Sequence, residues 1–324
     1  MRRRNRIFAG LEGDKPGCAR HLRGSGGSPR REVAMRAERM SMTAERPATP
    51  EAHDAPVHIG AVALRVFDLP ALTAFYRDRI GLSVLSQSQD EVALGIDGVL
   101  LVTLLPGASR PSSPAGLFHL ALLLPSRQAL ADWLAHAARA GVVLEGASDH
   151  LVSEALYLSD PEGNGIEIYR DRARAEWPRE DGAIRMATER LDLQALLAEA
   201  RDEPGAALPA GTRMGHVHLR VGDTSAAEAF YVGRLGFALM LRYPGASFMA
   251  TGSYHHHIAA NVWNSRGAGP RREGEAGLAH VALQARDAEA FAALRARMLE
   301  AGGTETDEGP AIADPWGNRL VLRR

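Results

Sequence analysis

The residues best suited to chemistry in this chain are histidines and one glutamate set inside apolar runs. His119 stands in Gly116-Leu117-Phe118-His119-Leu120-Ala121-Leu122, and His216 and His218 alternate in Gly215-His216-Val217-His218-Leu219. His280 follows Gly277-Leu278-Ala279, and Glu167 lies between Ile166 and Ile168. Short apolar runs of this kind read as strands, so these side chains are directed toward an interior. An imidazole there can bind a metal or move a proton. Its default role is that of a core residue, which is the first reading of His280. A buried carboxylate is costly unless paired, so Glu167 requires a partner, with Lys or Arg the plain explanation and a metal the sharper one. Tyr254-His255-His256-His257 precedes a strand from Ile258 to Trp263. Alternation places His255 and His257 on one face and His256 on the other. We favour His257 as the chemically active member, because it continues the face of Ala259 and Asn261. His21, His53 and His136 read as surface residues, and His58 is assigned nothing.

These residues recur in a repeat. Gly60-Ala61-Val62-Ala63-Leu64-Arg65-Val66 returns as Gly215-His216-Val217-His218-Leu219-Arg220-Val221, an offset of 155 that also carries Asp68 to Asp223, Phe75-Tyr76 to Phe230-Tyr231 and Gly81 to Gly236. The His119 run matches the His280 run, and Asp160-Pro161-Glu162-Gly163-Asn164 matches Asp314-Pro315-Trp316-Gly317-Asn318. Internal repetition of this register means homologous units. Two domains follow, at residues 56–172 and 213–324, each holding two half-size units that open with a strand and a helix. Leu69 to Arg79 has helical spacing and ends at Gly81. Ser126 caps a helix running through Trp133 to Gly141. The Asp160 turn signal joins two strands as a hairpin. The fold class is therefore α+β, with four βαβββ modules. Residues 173–212 form a linker, with a short helix within 191–200 and a loop across 204–211.

Composition narrows the function. The 324 residues are 45% hydrophobic and 24% charged, the balance of a globular protein. Residues 1–50 carry 12 Lys and Arg against 5 Asp and Glu, so the remainder carries a net charge of −8. An acidic folded part has no electrostatic footprint for nucleic acid. The leader, residues 1–55, lacks periodicity and an apolar signal core and reads as disordered. No apolar run is long enough to span a membrane. The single cysteine, Cys18, rules out thiolate metal sites and disulfides. We expect a cytoplasmic protein, with a homodimer allowed.

The Phe-Tyr…Gly-Leu pattern, the Gly-x-x-His strand and Asp160-Pro161-Glu162-Gly163-Asn164-Gly165-Ile166-Glu167-Ile168-Tyr169 resemble the vicinal oxygen chelate superfamily, which includes glyoxalase I, fosfomycin-resistance proteins and extradiol dioxygenases. The segment from Ser153 to Pro161 and Tyr254 to His257 resemble its two-domain, catechol-2,3-dioxygenase-like subgroup. The resemblance covers residues 56–324. It implies two vicinal-oxygen-chelate domains with open-barrel sheets, in which paired modules surround one divalent metal held by two histidines and one glutamate. Such a set suits Fe(II), Mn(II), Ni(II) or Zn(II), with Fe(II) favoured, and leaves positions open for substrate. Pairing neighbouring modules breaks both sites, because Ala61 replaces one histidine and Val321 replaces one glutamate. Pairing the second module with the third completes a site from His119, Glu167 and His216, and this crossed arrangement is the one we expect. His257 would add a fourth ligand.

The same resemblance gives His150 a place beside the substrate and Tyr157 a phenol that bonds a metal-bound catecholate. His150 or His218 would serve as acid or base. The leading function is an extradiol ring-cleaving dioxygenase acting on a small aromatic diol, or another vicinal-oxygen substrate, with dioxygen. Its alternatives are a glyoxalase-like isomerase or lyase and a metal-free binding protein of the bleomycin-resistance kind. Fold alone does not choose among them.

Overall fold

A computed structural model describes residues 51–201 and 208–324. The leader up to residue 50, and residues 202–207 of the expected loop, lie outside the described residues. The first module is β1 (Val57–Arg65), α1 (Leu69–Phe75), β2 (Ser83–Gln87), β3 (Val92–Ile96) and β4 (Val99–Leu105). The second is β5 (Gly116–Leu124), α2 (Arg127–Arg139), β6 (Gly146–Asp149), β7 (Ser153–Ser159) and β8 (Gly165–Asp171). A connector follows with short strands β9 (Arg179–Glu180), β10 (Ala183–Ile184) and β11 (Glu189–Arg190) and helix α3 (Leu193–Leu197). The third module is β12 (Arg213–Arg220), α4 (Thr224–Glu228), β13 (Ala238–Tyr243), β14 (Ala246–Ala250) and β15 (Ile258–Asn261). The fourth is β16 (Gly277–Ala285), α5 (Ala288–Glu300), β17 (Thr304–Thr306), β18 (Gly309–Ala313) and β19 (Arg319–Arg323). All four are βαβββ units.

Each module helix starts at an oxygen-bearing cap. The side chains of Asp68, Ser126, Asp223 and Asp287 accept the backbone N–H three residues on, satisfying donors that a helix start leaves open. The helix expected over 69–79 is α only to Phe75. It then widens into a π turn, Tyr76–Ile80, that stops at Gly81 with φ 100°. A similar π turn, Ala229–Arg234, follows α4. At the widened turns Tyr76 donates to Asp160 (3.2 Å) and Tyr231 to Asp314 (3.0 Å). Each tyrosine thereby holds the Asp-Pro turn of the following module.

The modules pair crosswise. Strand β5 runs antiparallel to β12 within a nine-stranded sheet, order β11-β6-β7-β8-β5-β12-β15-β14-β13. Strand β1 runs antiparallel to β16 within an eight-stranded sheet, order β17-β18-β19-β16-β1-β4-β3-β2. Each curled sheet therefore takes one module from each half of the sequence and does not coincide with the contiguous halves 56–172 and 213–324. Two bulges interrupt each central pairing. Met214 faces Leu122 and His216 faces Ala121, leaving Gly215 extra; His218 faces His119 and Leu219 faces Leu117, leaving Phe118 extra. In the other sheet Gly60 and Ala279 are the extra residues. A bulge turns side chains off strict alternation.

Gly215 is fixed by contact. A Cβ there would lie 1.8 Å from the Tyr169 hydroxyl, which is hydrogen-bonded to Tyr254 at 2.8 Å.

Residues 51–55, expected within the leader, pack on the fold. Ala52 is fully buried, and the His257 Nε2–H donates to its carbonyl at 2.9 Å. His53, expected at the surface, sets its ring 4.4 Å from that of His58. The connector also differs from a plain linker. Its β11 pairs with β6 and extends the sheet, and Trp177 is buried beside Tyr254. Asp192 caps α3 within the helix expected at 191–200.

Two predictions follow from these contacts. Gly215→Ala forces Tyr169 or the bulge to move, and overpacking of this kind costs about 1–3 kcal/mol. Denaturant unfolding should show that loss, and Gly233→Ala, where a Cβ meets open space, should not. The second concerns acid. Burial lowers the pKa of His53 to about 3, of His58 to about 4 and of His257 to about 3. Because these folded values lie below the unfolded value of 6.5, their stabilisation is complete above pH 6.5 and is lost as pH falls toward 3. Stability should drop by up to about 1.4 kcal/mol per pH unit for each such histidine inside that window. Melting curves from pH 7 to 4 should be shallower for His53→Gln than for the parent.

Candidate metal centre

Three strands set the site. His119 comes from the middle of β5, Glu167 from β8, which runs parallel to β5, and His216 from β12 on the other side of β5. The three side chains are buried, and one ligand atom from each lies within 4.8 Å of the others. Glu167 Oε2 is 3.1 Å from His216 Nε2 and 3.0 Å from His119 Nε2. The first contact is a hydrogen bond. The second has hydrogen-bond length but not its alignment, so His119 Nε2 remains without a partner.

Electrostatics follow from burial. Desolvation alone would raise the Glu167 carboxyl. The electrostatic pull of His216 and His119, with the hydrogen bond from His216, outweighs it and holds the group well below the usual carboxylate range. Burial lowers His216 even though Glu167 opposes the shift. Burial, aided by the neighbouring imidazoles His119 and His216, holds His218 well below its ordinary value. Neutral imidazoles with free lone pairs are what a cation requires. Three ring nitrogens here, His119 Nε2, His216 Nδ1 and His218 Nε2, are buried without a hydrogen bond. Unpaired buried polar atoms are uncommon, and His119 Nε2, 3.0 Å from Glu167 Oε2, is one that could bind a cation beside that carboxylate.

The other expected site residues are distributed unequally. His218 reaches the cavity one alternation along β12, its ring 5.0 Å from that of His119. His150 and Tyr157 meet on the facing wall, with His150 Nε2 and the Tyr157 hydroxyl 2.7 Å apart. His150 Nδ1 is 2.7 Å from the Ala187 carbonyl. A carbonyl only accepts, so Nδ1 carries the proton and Nε2 accepts from Tyr157. Burial, then the charge of Glu167, pushes the Tyr157 phenol well up.

His257 is not at the site. Its Nε2 donates to Ala52 and its Nδ1 accepts from the Thr251 N–H, so neither nitrogen is free for a metal. The reason lies in the strand boundary: β15 begins at Ile258, and the three preceding histidines are not pleated. His256 takes the cavity position instead, 4.2 Å ring to ring from His216. His255 Nε2 lies 2.9 Å from Asp171 Oδ1, and His255 Nδ1 lies 2.8 Å from His256 Nδ1. With Asp171 accepting, His255 Nδ1 accepts in turn from His256, which leaves the His256 Nε2 lone pair free. The connector, expected to be a linker, supplies Met186, Ala187 and Thr188, between β10 and β11, to the cavity wall. No periodicity in that segment marked it.

In the other sheet the corresponding positions are Ala61, His280 and Val321, with Ala61 facing Ala282 and Ala63 facing His280. Valine stands there in place of the glutamate, and among the described residues His119, Glu167 and His216 form the one cluster fit for a metal.

The site opens into a cavity of about 430 Å³, within the range of small-molecule pockets. Phe118, Phe248 and Trp263 give it aromatic walls, with the Phe118 and Trp263 rings 5.7 Å apart. Its lining carboxylates are Glu167 and Glu145, and Glu145 accepts from the Ser159 hydroxyl at the exposed rim. No helix of the described residues is long and apolar enough to cross a membrane.

A model of the Glyoxalase/Bleomycin resistance protein/Dioxygenase superfamily matches residues 58–168 and 213–322. A Bacillus subtilis (strain 168) protein named catechol-2,3-dioxygenase is 39% identical over 276 residues, which span 82% of this chain and 96% of that one. Among solved structures, a candidate dioxygenase from Bacillus subtilis subsp. subtilis str. 168 aligns over 82% of this chain and 84% of its own, with a TM-score of 0.56 and 13% identity. Glyoxalase I from Zea mays aligns over 84% and 94%, with a TM-score of 0.51 and 18% identity. At such identities the structural likeness speaks for the fold alone. The four βαβββ modules, the two matched segments and the 39% identical relative agree, and the chain belongs to the Glyoxalase/Bleomycin resistance protein/Dioxygenase superfamily.

Proposed function

We propose that this chain is an extradiol-type dioxygenase that opens the ring of a catechol-like substrate, with Fe(II) held by His119, Glu167 and His216. The observation that carries the reading is the convergence of that triad on a cavity that also presents Tyr157, His150 and His256. Two neutral imidazoles and one carboxylate leave a net +1 on a divalent ion, and Fe(II) there supplies chelation for both diol oxygens and a place for dioxygen.

The chain's own groups do the rest. Tyr157, kept protonated by burial, donates to His150 and presents its hydroxyl to an oxygen of the diol. His150 is held in one tautomer by the Ala187 carbonyl, so it can take a proton through Tyr157 as the diol ionises. His256, fixed by His255 and Asp171, offers a free lone pair on the opposite side and is placed to hold a proton near the substrate. His218 narrows the floor between Phe118 and Trp263. Those aromatic walls stack a flat ring and exclude water. The 39% identity to a protein named catechol-2,3-dioxygenase supports the same reading.

Anaerobic loading with Fe(II), then oxygen uptake with catechol and with 3- and 4-substituted catechols, tests the proposal. Uptake with stoichiometric iron is expected. Iron without uptake from any diol would favour the isomerase, and no metal bound would leave the binding protein. Variants separate the roles. Glu167→Gln should lose both metal, by elemental analysis, and turnover. Tyr157→Phe should retain metal while kcat falls at least about tenfold, toward the 10²–10⁴ range of acid–base groups.

A further inference from the structure

The strand that carries His216 and His218 continues two residues to Arg220. Alternation puts all three side chains on one face, and all three line the cavity. Arg220 is the one Arg or Lys among the lining residues. Its Nε is buried without a hydrogen-bond partner, and among the described residues its guanidinium has no carboxylate within ion-pairing distance. Two arginines that are at least as buried, by contrast, are satisfied. Arg170 pairs with Glu154 at 2.6 Å, and Arg271 donates to the Leu278 and Ala276 carbonyls at 2.7 and 2.9 Å. Arg220 instead rests over the Phe118 ring, its Cζ 5.8 Å from the ring centre. That cation–π contact holds the head but leaves its N–H donors unspent. Burial lowers the pKa of Arg220, and no carboxylate offsets the shift. A partly desolvated guanidinium facing a cavity, with unspent donors in a planar fork, is complementary to a planar oxyanion.

We propose that Arg220 anchors a carboxylate on the substrate, so that the diol this site takes is a catechol carrying an acidic side chain. This rests on the diol reading above. The placement sets where the acid belongs. Same-face side chains on a strand are spaced about 6–7 Å apart, so Arg220 stands about 13 Å along β12 from His216. The carboxylate is therefore carried on a substituent, away from the two chelating oxygens. Arg220 is a specificity-determining residue here; it touches no reacting atom.

The test compares acids with their neutral amides by calorimetry on the full chain. One pair is 3-(3,4-dihydroxyphenyl)propionate and its amide, on Fe(II)-loaded protein without oxygen. The other is 3-phenylpropionate and its amide, which lack the diol, on the protein as purified. In the parent the acid should bind about tenfold to a hundredfold more tightly than the amide in both pairs, the range of a hydrogen bond between charged groups. Arg220→Met keeps the apolar stem and should bring both ratios to about one, while Arg220→Lys keeps part of the preference. A parent ratio near one, or an undiminished ratio in Arg220→Met, overturns the anchor. Oxygen uptake separates the two proposals. If the acid preference depends on Arg220 in the diol-free pair while no diol consumes oxygen, the anchor stands and the dioxygenase reading falls.

Discussion

A carboxylate buried to the degree of Glu167 cannot stand alone, and the arrangement of the nine-stranded sheet answers that constraint. Desolvation of a single charge costs more than any one contact returns, so the group survives only with several partners at once. The partners are imidazoles from two different modules, one on the neighbouring parallel strand and one a strand further. Only the pairing of β5 with β12 brings them to the same oxygen. The other sheet shows the converse. Where Ala61 stands in place of His216, the position of Glu167 is Val321, fully buried among apolar neighbours. With no second imidazole a glutamate would be orphaned there, and valine is the stable choice.

The bulges decide which side chains surround the triad. Without the extra residue Phe118, His119 and an aromatic ring could not both face the cavity, since neighbours on a regular strand point to opposite faces. Without Gly215, the Tyr169 hydroxyl could not occupy the space behind His216, where it links through Tyr254 to Asp171. The glycine of the sequence motif and the histidine beside it thus belong to one structural requirement: backbone must be thin so that a buried hydrogen-bonded chain can back the imidazole.

Much of this was legible in the residues. The repeat fixed four modules, and completing a single His-His-Glu set required the crossed pairing that the sheets display. The run Tyr254 to His257 was misread because period-two alternation was extended backward from β15, where the chain is not pleated; hydrogen bonds to Ala52 and Thr251, distant or irregular in sequence, settled which way His257 turned. Met186 to Thr188 and the packing of Ala52 left no signal, because neither segment has a hydrophobic period. Their places are set by tertiary contacts that a local pattern does not encode. Arg220 carried a signal of another kind: it repeats Arg65 at the offset of 155, yet Arg65 is satisfied by the Pro106 carbonyl at 3.0 Å while Arg220 has no such partner. Identical sequence context gave unlike roles.

Two sets of ties hold the modules together, and they do not connect the same pairs. Sheets join the second module to the third and the fourth to the first, whereas the tyrosine bonds from the π turns join the first to the second and the third to the fourth. Glu162 adds to the first of these links by accepting from the backbone N–H groups of Phe67 and Asp68. These two kinds of tie alternate around a closed ring of four modules, and further contacts, such as that of the Val57 N–H to Thr251 Oγ1 at 3.0 Å, cross it. Opening either half of the sequence away from the other means breaking both central strand pairings, and the triad straddles one of them. The geometry of the triad is therefore a property of the assembled modules: no single module, and neither sequence half, contains His119, Glu167 and His216 together.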